Sequence, residues 1–217
     1  MSLIICPGIH PPELTASFLA GLEDVTRTPL RELTNYFIFP SDRYPPYSAF
    51  HILETLYAWI GKPCKNSEQP DQNLSTNLLP SSSHASLVFL SFSAGVVGAI
   101  GAARTWQRSG GQVKAFIAVD GWGVPLRGEF PLYRLSHDFF THWSSAPLGA
   151  AAESFYADPP VPHLELWRSP QTVWGYQLKG EERSPSLFPN SPRRAPITAA
   201  AFLIDLLTRQ IDSRLTG

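Results

Sequence analysis

The stretch that most constrains this chain is LVFLSFSAGVVGAIGAA, residues 87–103. An uninterrupted apolar run, of the kind found in strands buried on both faces, ends in Ser91-Phe92-Ser93-Ala94-Gly95. It passes without a loop into Gly98, Ala99, Gly101, Ala102 and Ala103, small residues that let a helix lie close to a sheet. The pattern predicts a strand, a sharp turn centred on Ser93, and a helix. Such a turn is crowded, so the flanking positions must be small, and here they are Ser91 and Gly95. The turn would lift the Ser93 hydroxyl above the sheet edge and aim the Ala94 N–H at a helix-start anion site.

Other segments repeat the alternation of strand and helix. LIIC ends at Pro7-Gly8, and Leu14, Phe18, Leu22 and Val25 then recur at helical spacing. NYFIFP precedes a helix with Ile52, Leu56 and Trp59 on one face and Gly61 as its stop. QVKAFIAVDGWG reads as a fourth strand and HLELWR, between prolines, as a fifth; PITAAAFLIDLLTRQI reads as a closing helix with Pro196 in its first turn. This is an α/β pattern: a mostly parallel central sheet of about five or six strands with helices on both faces, its ligand site at the carboxyl ends of the strands. Residues 1–217 read as one domain, with a polar excursion at 62–86, a possible lid at 121–160 and a Pro, Ser and Arg-rich mobile loop at 180–196.

Composition narrows the partners. With Lys+Arg 17 against Asp+Glu 18, net charge is -1, which gives no electrostatic reason to expect nucleic acid. No run reaches transmembrane length, no signal-peptide core precedes Pro7, and the two cysteines, Cys6 and Cys64, suggest reduced thiols. A cytoplasmic location is the expectation. The single glycine and three prolines after the first strand are unlike a nucleotide phosphate loop, and no cofactor or metal is implied.

SFSAG in this setting resembles the nucleophile elbow of the α/β-hydrolase superfamily, with serine in place of the first glycine of its G-x-S-x-G. The resemblance implies a compact esterase, lipase-like or thioesterase-like serine hydrolase with Ser93 as nucleophile. It also implies an oxyanion hole made by the backbone of Ala94 and of the loop after the first strand, at Ile9 and His10. Asp120, at the carboxyl end of AFIAVD, is the candidate acid. Of six histidines, His84 and His163 are placed by strand polarity at the amino end of the sheet, His51 lies within a helix, and His10 belongs to the oxyanion loop. His137 and His142 remain. Ser136 reads as an N-cap that puts His137 at the first helical position, and His142 with Asp138, four residues apart, is the second choice. The expected triad is Ser93, Asp120 and His137.

Trp122 and Trp143 lie in an aromatic-rich segment after Asp120 and suggest a hydrophobic substrate pocket for a small apolar ester or thioester. Members of the family usually carry their histidine after the last strand, and none follows His163. A catalytically silent hydrolase-fold binding module is therefore the alternative function, and a flavodoxin-like or nucleotide-binding α/β protein is a third reading.

Overall fold

The computed structural model describes residues 1–61, 85–179 and 195–212. The expected excursion and mobile loop, together with Cys64, His84, Arg193 and Arg194, lie almost wholly or wholly outside them. Among the described residues the sheet has eight strands: β1 (Ser2–Cys6), β2 (Asn35–Ile38), β3 (Ser86–Phe92), β4 (Gln112–Val119), β5 (Leu132–Ser136), β6 (Glu153–Ala157), β7 (Trp174–Lys179) and β8 (Ile197–Thr198). Their order is β2-β1-β3-β4-β5-β6-β7-β8. The first six are mutually parallel, and β7 and β8 complete the edge in antiparallel fashion. The α/β class and the mostly parallel sheet agree with the sequence reading, whereas the strand count is higher than expected.

The extra strands correct one assignment. HLELWR is not a strand but the helix α6 (His163–Arg168), and the strand in that part of the sheet is β6, just before it. Pro162 stands at the N-cap and Glu165 in the first turn, both suited to a helix start. Leu166 and Trp167 turn inward together, as the helical period allows and a two-residue period does not.

The remaining helices are α1 (Pro12–Thr26), α2 (Leu30–Leu33), α3 (Ala49–Ile60), α4 (Ala94–Arg108), α5 (Phe139–Ser145) and α7 (Ala199–Asp212). Strand pleating sorts the core into two layers. Leu3 and Ile5 of β1 pack with Phe18 and Leu22 of α1, Trp167 of α6 and Phe202 of α7. Ile4 and Cys6 face the other way, toward Ile52 and Leu56 of α3 and Ala99, Ala102 and Ala103 of α4. The segment 121–160, read from sequence as a lid region, supplies β5, α5 and β6, so much of it is built into the sheet.

Gly98 and Gly95 show why α4 needs small residues. A Cβ on Gly98 would lie 2.4 Å from the Pro46 carbonyl oxygen, and one on Gly95 would lie 2.3 and 2.5 Å from the carbonyl oxygens of Cys6 and Pro7. Both obstacles at Gly95 are backbone, which cannot swing aside. Gly95→Ala is expected to lower unfolding free energy by about 2 kcal/mol, within the range for overpacking a tight site, as read from urea denaturation midpoints.

Candidate active site

Because β3, β4, β5 and β6 are adjacent and parallel, the residues that follow them gather at one edge of the sheet. Ser93 follows β3, Asp120 follows β4, His137 follows β5, and His163 opens α6 six residues beyond the last residue of β6. The expectation that His163 sits at the amino end is thereby corrected. It rested on reading α6 as a strand.

Ser93 occupies the sharp turn, with φ 52° and ψ -123°, a left-handed backbone that a non-glycine residue adopts only when its surroundings hold it there. The Ser93 N–H donates to the Val119 carbonyl at 2.9 Å, tying the turn to the end of β4. Ser91 is fully buried, and its hydroxyl donates to the Ile117 carbonyl at 3.2 Å, so a polar residue is satisfied beside the crowded turn. Ala94 is the first residue of α4, so its N–H is among those with no partner inside the helix. The loop after β1 comes close: a Cβ on Gly8 would lie 3.0 Å from the Ser93 Cβ. Ile9 beside it is exposed, and His10 packs its ring against Phe92 and Trp167 while its Nδ1 lies 2.9 Å from the Pro11 carbonyl.

Asp120 is also held at positive φ, 50°, and its N–H donates to the Leu135 carbonyl at 2.8 Å. Its buried carboxylate collects three donors. His163 Nδ1 lies 2.8 Å and His137 Nδ1 2.9 Å from Oδ2, and the His137 backbone N–H donates to Oδ1 at 2.8 Å. Burial alone would push this carboxyl up, but the hydrogen bonds from His137 and His163, with the His137 charge, bring it below the usual carboxylate range. An ionised carboxylate only accepts, so both Nδ1 atoms carry the proton. His163 Nε2 is then a lone-pair acceptor, and the Ser93 hydroxyl lies against it at 3.0 Å. A continuous path runs from Ser93 through His163 to Asp120.

His163 is steered from a second side. Its ring stacks on Phe92, centroids 4.7 Å apart, and Phe92 also stacks on Trp167 one turn along α6 at 4.9 Å. Trp167 in turn stacks on Phe18 of α1 at 3.7 Å. The aromatic side chain immediately before the serine thus supports the imidazole facing that serine.

Among the residues expected from sequence, Ser93, Asp120 and His137 do come together around one pocket, but the ring nitrogen on the serine hydroxyl is that of His163. His137 Nε2 is 3.4 Å from Asp138 Oδ2. The N-cap of α5 is Asp138, whose Oδ1 accepts from the Thr141 N–H at 2.6 Å, whereas Ser136 is the last residue of β5. His142 is not brought to the site. It is buried among the rings of Phe139 and Tyr156, its Nδ1 has no hydrogen-bond partner, and burial, aided by the Arg134 charge, pushes it down to about 4.

A pocket of about 380 Å³ opens over the serine, lined by Ser93, Ala94, Val97, Asp120, Trp122, Val124, His137, Thr141 and His163. Trp122 forms part of its wall and donates from Nε1 to the Ser144 hydroxyl at 3.1 Å; Trp143 is exposed on α5 and is not among the lining residues. Asp120, His137 and His163 also offer one carboxylate oxygen and two ring nitrogens within 4.8 Å of one another, the composition of a metal-binding trio. Both Nδ1 atoms lie within hydrogen-bond distance of Asp120 Oδ2, so in this arrangement the three groups are used on one another. No family model matches the chain, and no curated protein matches it.

His137 is raised above the ordinary histidine value, chiefly by its hydrogen bond to Asp120 and further by the charges of Asp120 and Asp138, with burial opposing. A raised folded-state value stabilises fully below the unfolded value and is lost as pH rises through the folded one. His137→Ala should therefore cost more thermal stability at pH 5.5 than at pH 9, a comparison that differential scanning fluorimetry of both proteins makes directly.

Proposed function

We propose that this protein is a serine hydrolase that cleaves an ester or thioester of an apolar acyl group, with Ser93 as nucleophile, His163 as base and Asp120 as acid. The observation carrying this reading is the hydrogen-bonded path from the Ser93 hydroxyl through both nitrogens of His163 to Asp120 Oδ2. It supports His163 in place of His137 as the base, because only His163 has Nε2 on the serine. The turn at Ser93, with positive φ between a buried strand and a close-packed helix, supports the likeness to the α/β-hydrolase superfamily.

The chemistry follows from the geometry. Ser93 Oγ attacks the acyl carbon while His163 Nε2 takes its proton. The ionised Asp120 holds Nδ1–H, keeps the imidazole in the productive tautomer and stabilises the imidazolium that forms. The Ala94 N–H, with a second N–H from the loop bearing Gly8, Ile9 and His10, faces the oxygen that gains charge. His163 then protonates the leaving alcohol or thiol, and a water activated by the same nitrogen releases the acyl-enzyme. Val97, Val124 and Trp122 give the pocket an apolar wall, which favours an acyl chain over a charged group. His137 takes no proton from the serine; its part is to hold Asp120 through its ring and its backbone N–H.

A fluorophosphonate probe should label the protein at Ser93, and Ser93→Ala should abolish labelling. On a p-nitrophenyl acyl ester, His163→Ala should lower kcat/KM by about 10³-fold or more, the scale of losing a triad base. His137→Ala should cost only about 10-fold, the order expected for a positioning hydrogen bond. Absence of labelling in the folded wild type would overturn the reading in favour of a catalytically silent binding module, and a deeper loss for His137→Ala than for His163→Ala would overturn the choice of base.

A further inference from the structure

Helix α5 is built inside out. Phe139, Phe140 and Trp143 face solvent, while Thr141, His142 and Ser145 are buried beneath it. What they cover is the face of the sheet that carries Arg134. Arg134 sits in the middle of β5 and is 5% exposed; His142 and Ser145 are 6% and 3% exposed. Nη2 of Arg134 donates to the Gly149 carbonyl at 3.3 Å, which brings the guanidinium to the chain just beyond α5. Its Nε, together with His142 Nδ1 and Ser145 Oγ, is cut off from solvent without a hydrogen-bond partner.

Among the described residues no carboxylate forms an ion pair with Arg134, and the segment from Phe139 to Ala152 contains no Asp or Glu. Burial lowers Arg134 only to about 10, so it remains a cation at neutral pH. An unpaired buried charge is strongly unfavourable, and the two unused polar groups of α5, His142 Nδ1 and Ser145 Oγ, are unfavourable again. Water could satisfy the hydrogen bonds but would leave the charge uncompensated.

We propose that Arg134, His142 and Ser145 form a buried binding site for one small inorganic anion of chloride's size, held between β5 and α5. Each supplies a proton: Arg134 from Nε, Ser145 from its hydroxyl, and neutral His142 from Nδ1. Three donors suit a monoatomic anion. A tetrahedral oxyanion would bring more oxygens than there are donors and press one of them toward the Gly149 carbonyl, which already occupies one edge of the guanidinium. The site is distinct from the pocket yet linked to it by α5, since Thr141 lines the pocket and Ser144 accepts from Trp122. Anion occupancy would therefore fix the position of one pocket wall. The inference does not depend on the hydrolase reading.

The test is thermal unfolding in sodium chloride and in sodium gluconate at equal ionic strength, combined with a bromide soak of wild-type crystals. Chloride should raise the wild-type Tm by about 3–6 °C, the shift expected for a ligand present at roughly ten times its dissociation constant in a chain of this size. Arg134→Met should remove that difference, and Ser145→Ala should raise the chloride concentration at half-effect several-fold. Anomalous signal from bromide should lie between Arg134 and α5. Equal Tm in the two salts, an unchanged chloride response in a folded Arg134→Met, or water alone at the cluster in the bromide crystal overturns the proposal. Should Arg134→Met fail to fold, an unchanged half-effect concentration in Ser145→Ala overturns it equally.

Discussion

The carboxylate of Asp120 is the point on which the carboxyl edge of this sheet depends. It receives protons from the backbone and ring of His137 and from the ring of His163, so one side chain joins the ends of β4 and β5 to the start of α6. Its own backbone is anchored on Leu135 at a positive φ that aspartate tolerates better than most residues. A buried carboxylate is costly unless its lone pairs are used, and here both oxygens are. The result is a group acceptor-only at neutral pH, which fixes the protonated nitrogen of each histidine. The orientation of His163 toward Ser93 is the downstream effect.

Two strained backbones meet at this edge. Ser93 and Asp120 follow neighbouring strands and both adopt left-handed φ, and the Ser93 N–H is bonded to the residue just before Asp120. Strain of this kind costs on the order of 1–3 kcal/mol per residue and persists only where the surroundings over-determine it. The closely packed small residues of α4 and the buried strands β3 and β4 provide that support. Helix α5 follows the opposite logic. It does little to bury apolar surface, leaving Phe139, Phe140 and Trp143 exposed while its polar side chains turn inward.

Much of the edge was legible in the sequence, and the part that was not has a definite physical cause. The elbow could be read because a buried strand, a small-residue turn and a Gly/Ala helix are each strong local signals, and together they agree. Asp120 could be read because it ends an apolar run. The strands β5 and β6 were missed: LYRLS and ESFYA mix polar and apolar residues, and Arg134 at the centre of a strand buried on both faces contradicts the usual pattern. Without β6, the short helix HLELWR took its place, because six residues of near-alternating polarity satisfy a two-residue period as easily as a helical one. That single substitution reversed the apparent polarity around His163 and removed it from consideration. Pro162 and the first-turn Glu165 were the available signals for a helix there. The ring stack on Phe92 had none, since it joins residues 70 or more positions apart in the chain.

That stack has a wider consequence. Each ring pair contributes about 0.5–1.5 kcal/mol beyond its buried area, but the column runs from His163 through Phe92 and Trp167 to Phe18, deep in the layer that packs α1 and α6 on the sheet. The imidazole is therefore fastened to the same interior whose collapse constitutes folding. A partly folded chain could hold the strand and the turn at Ser93 and still lack an aligned imidazole. If Ser93 is the nucleophile proposed above, its reactivity would act as a reporter of folding, switching on only when the layer of α1 and α6 has closed on the sheet.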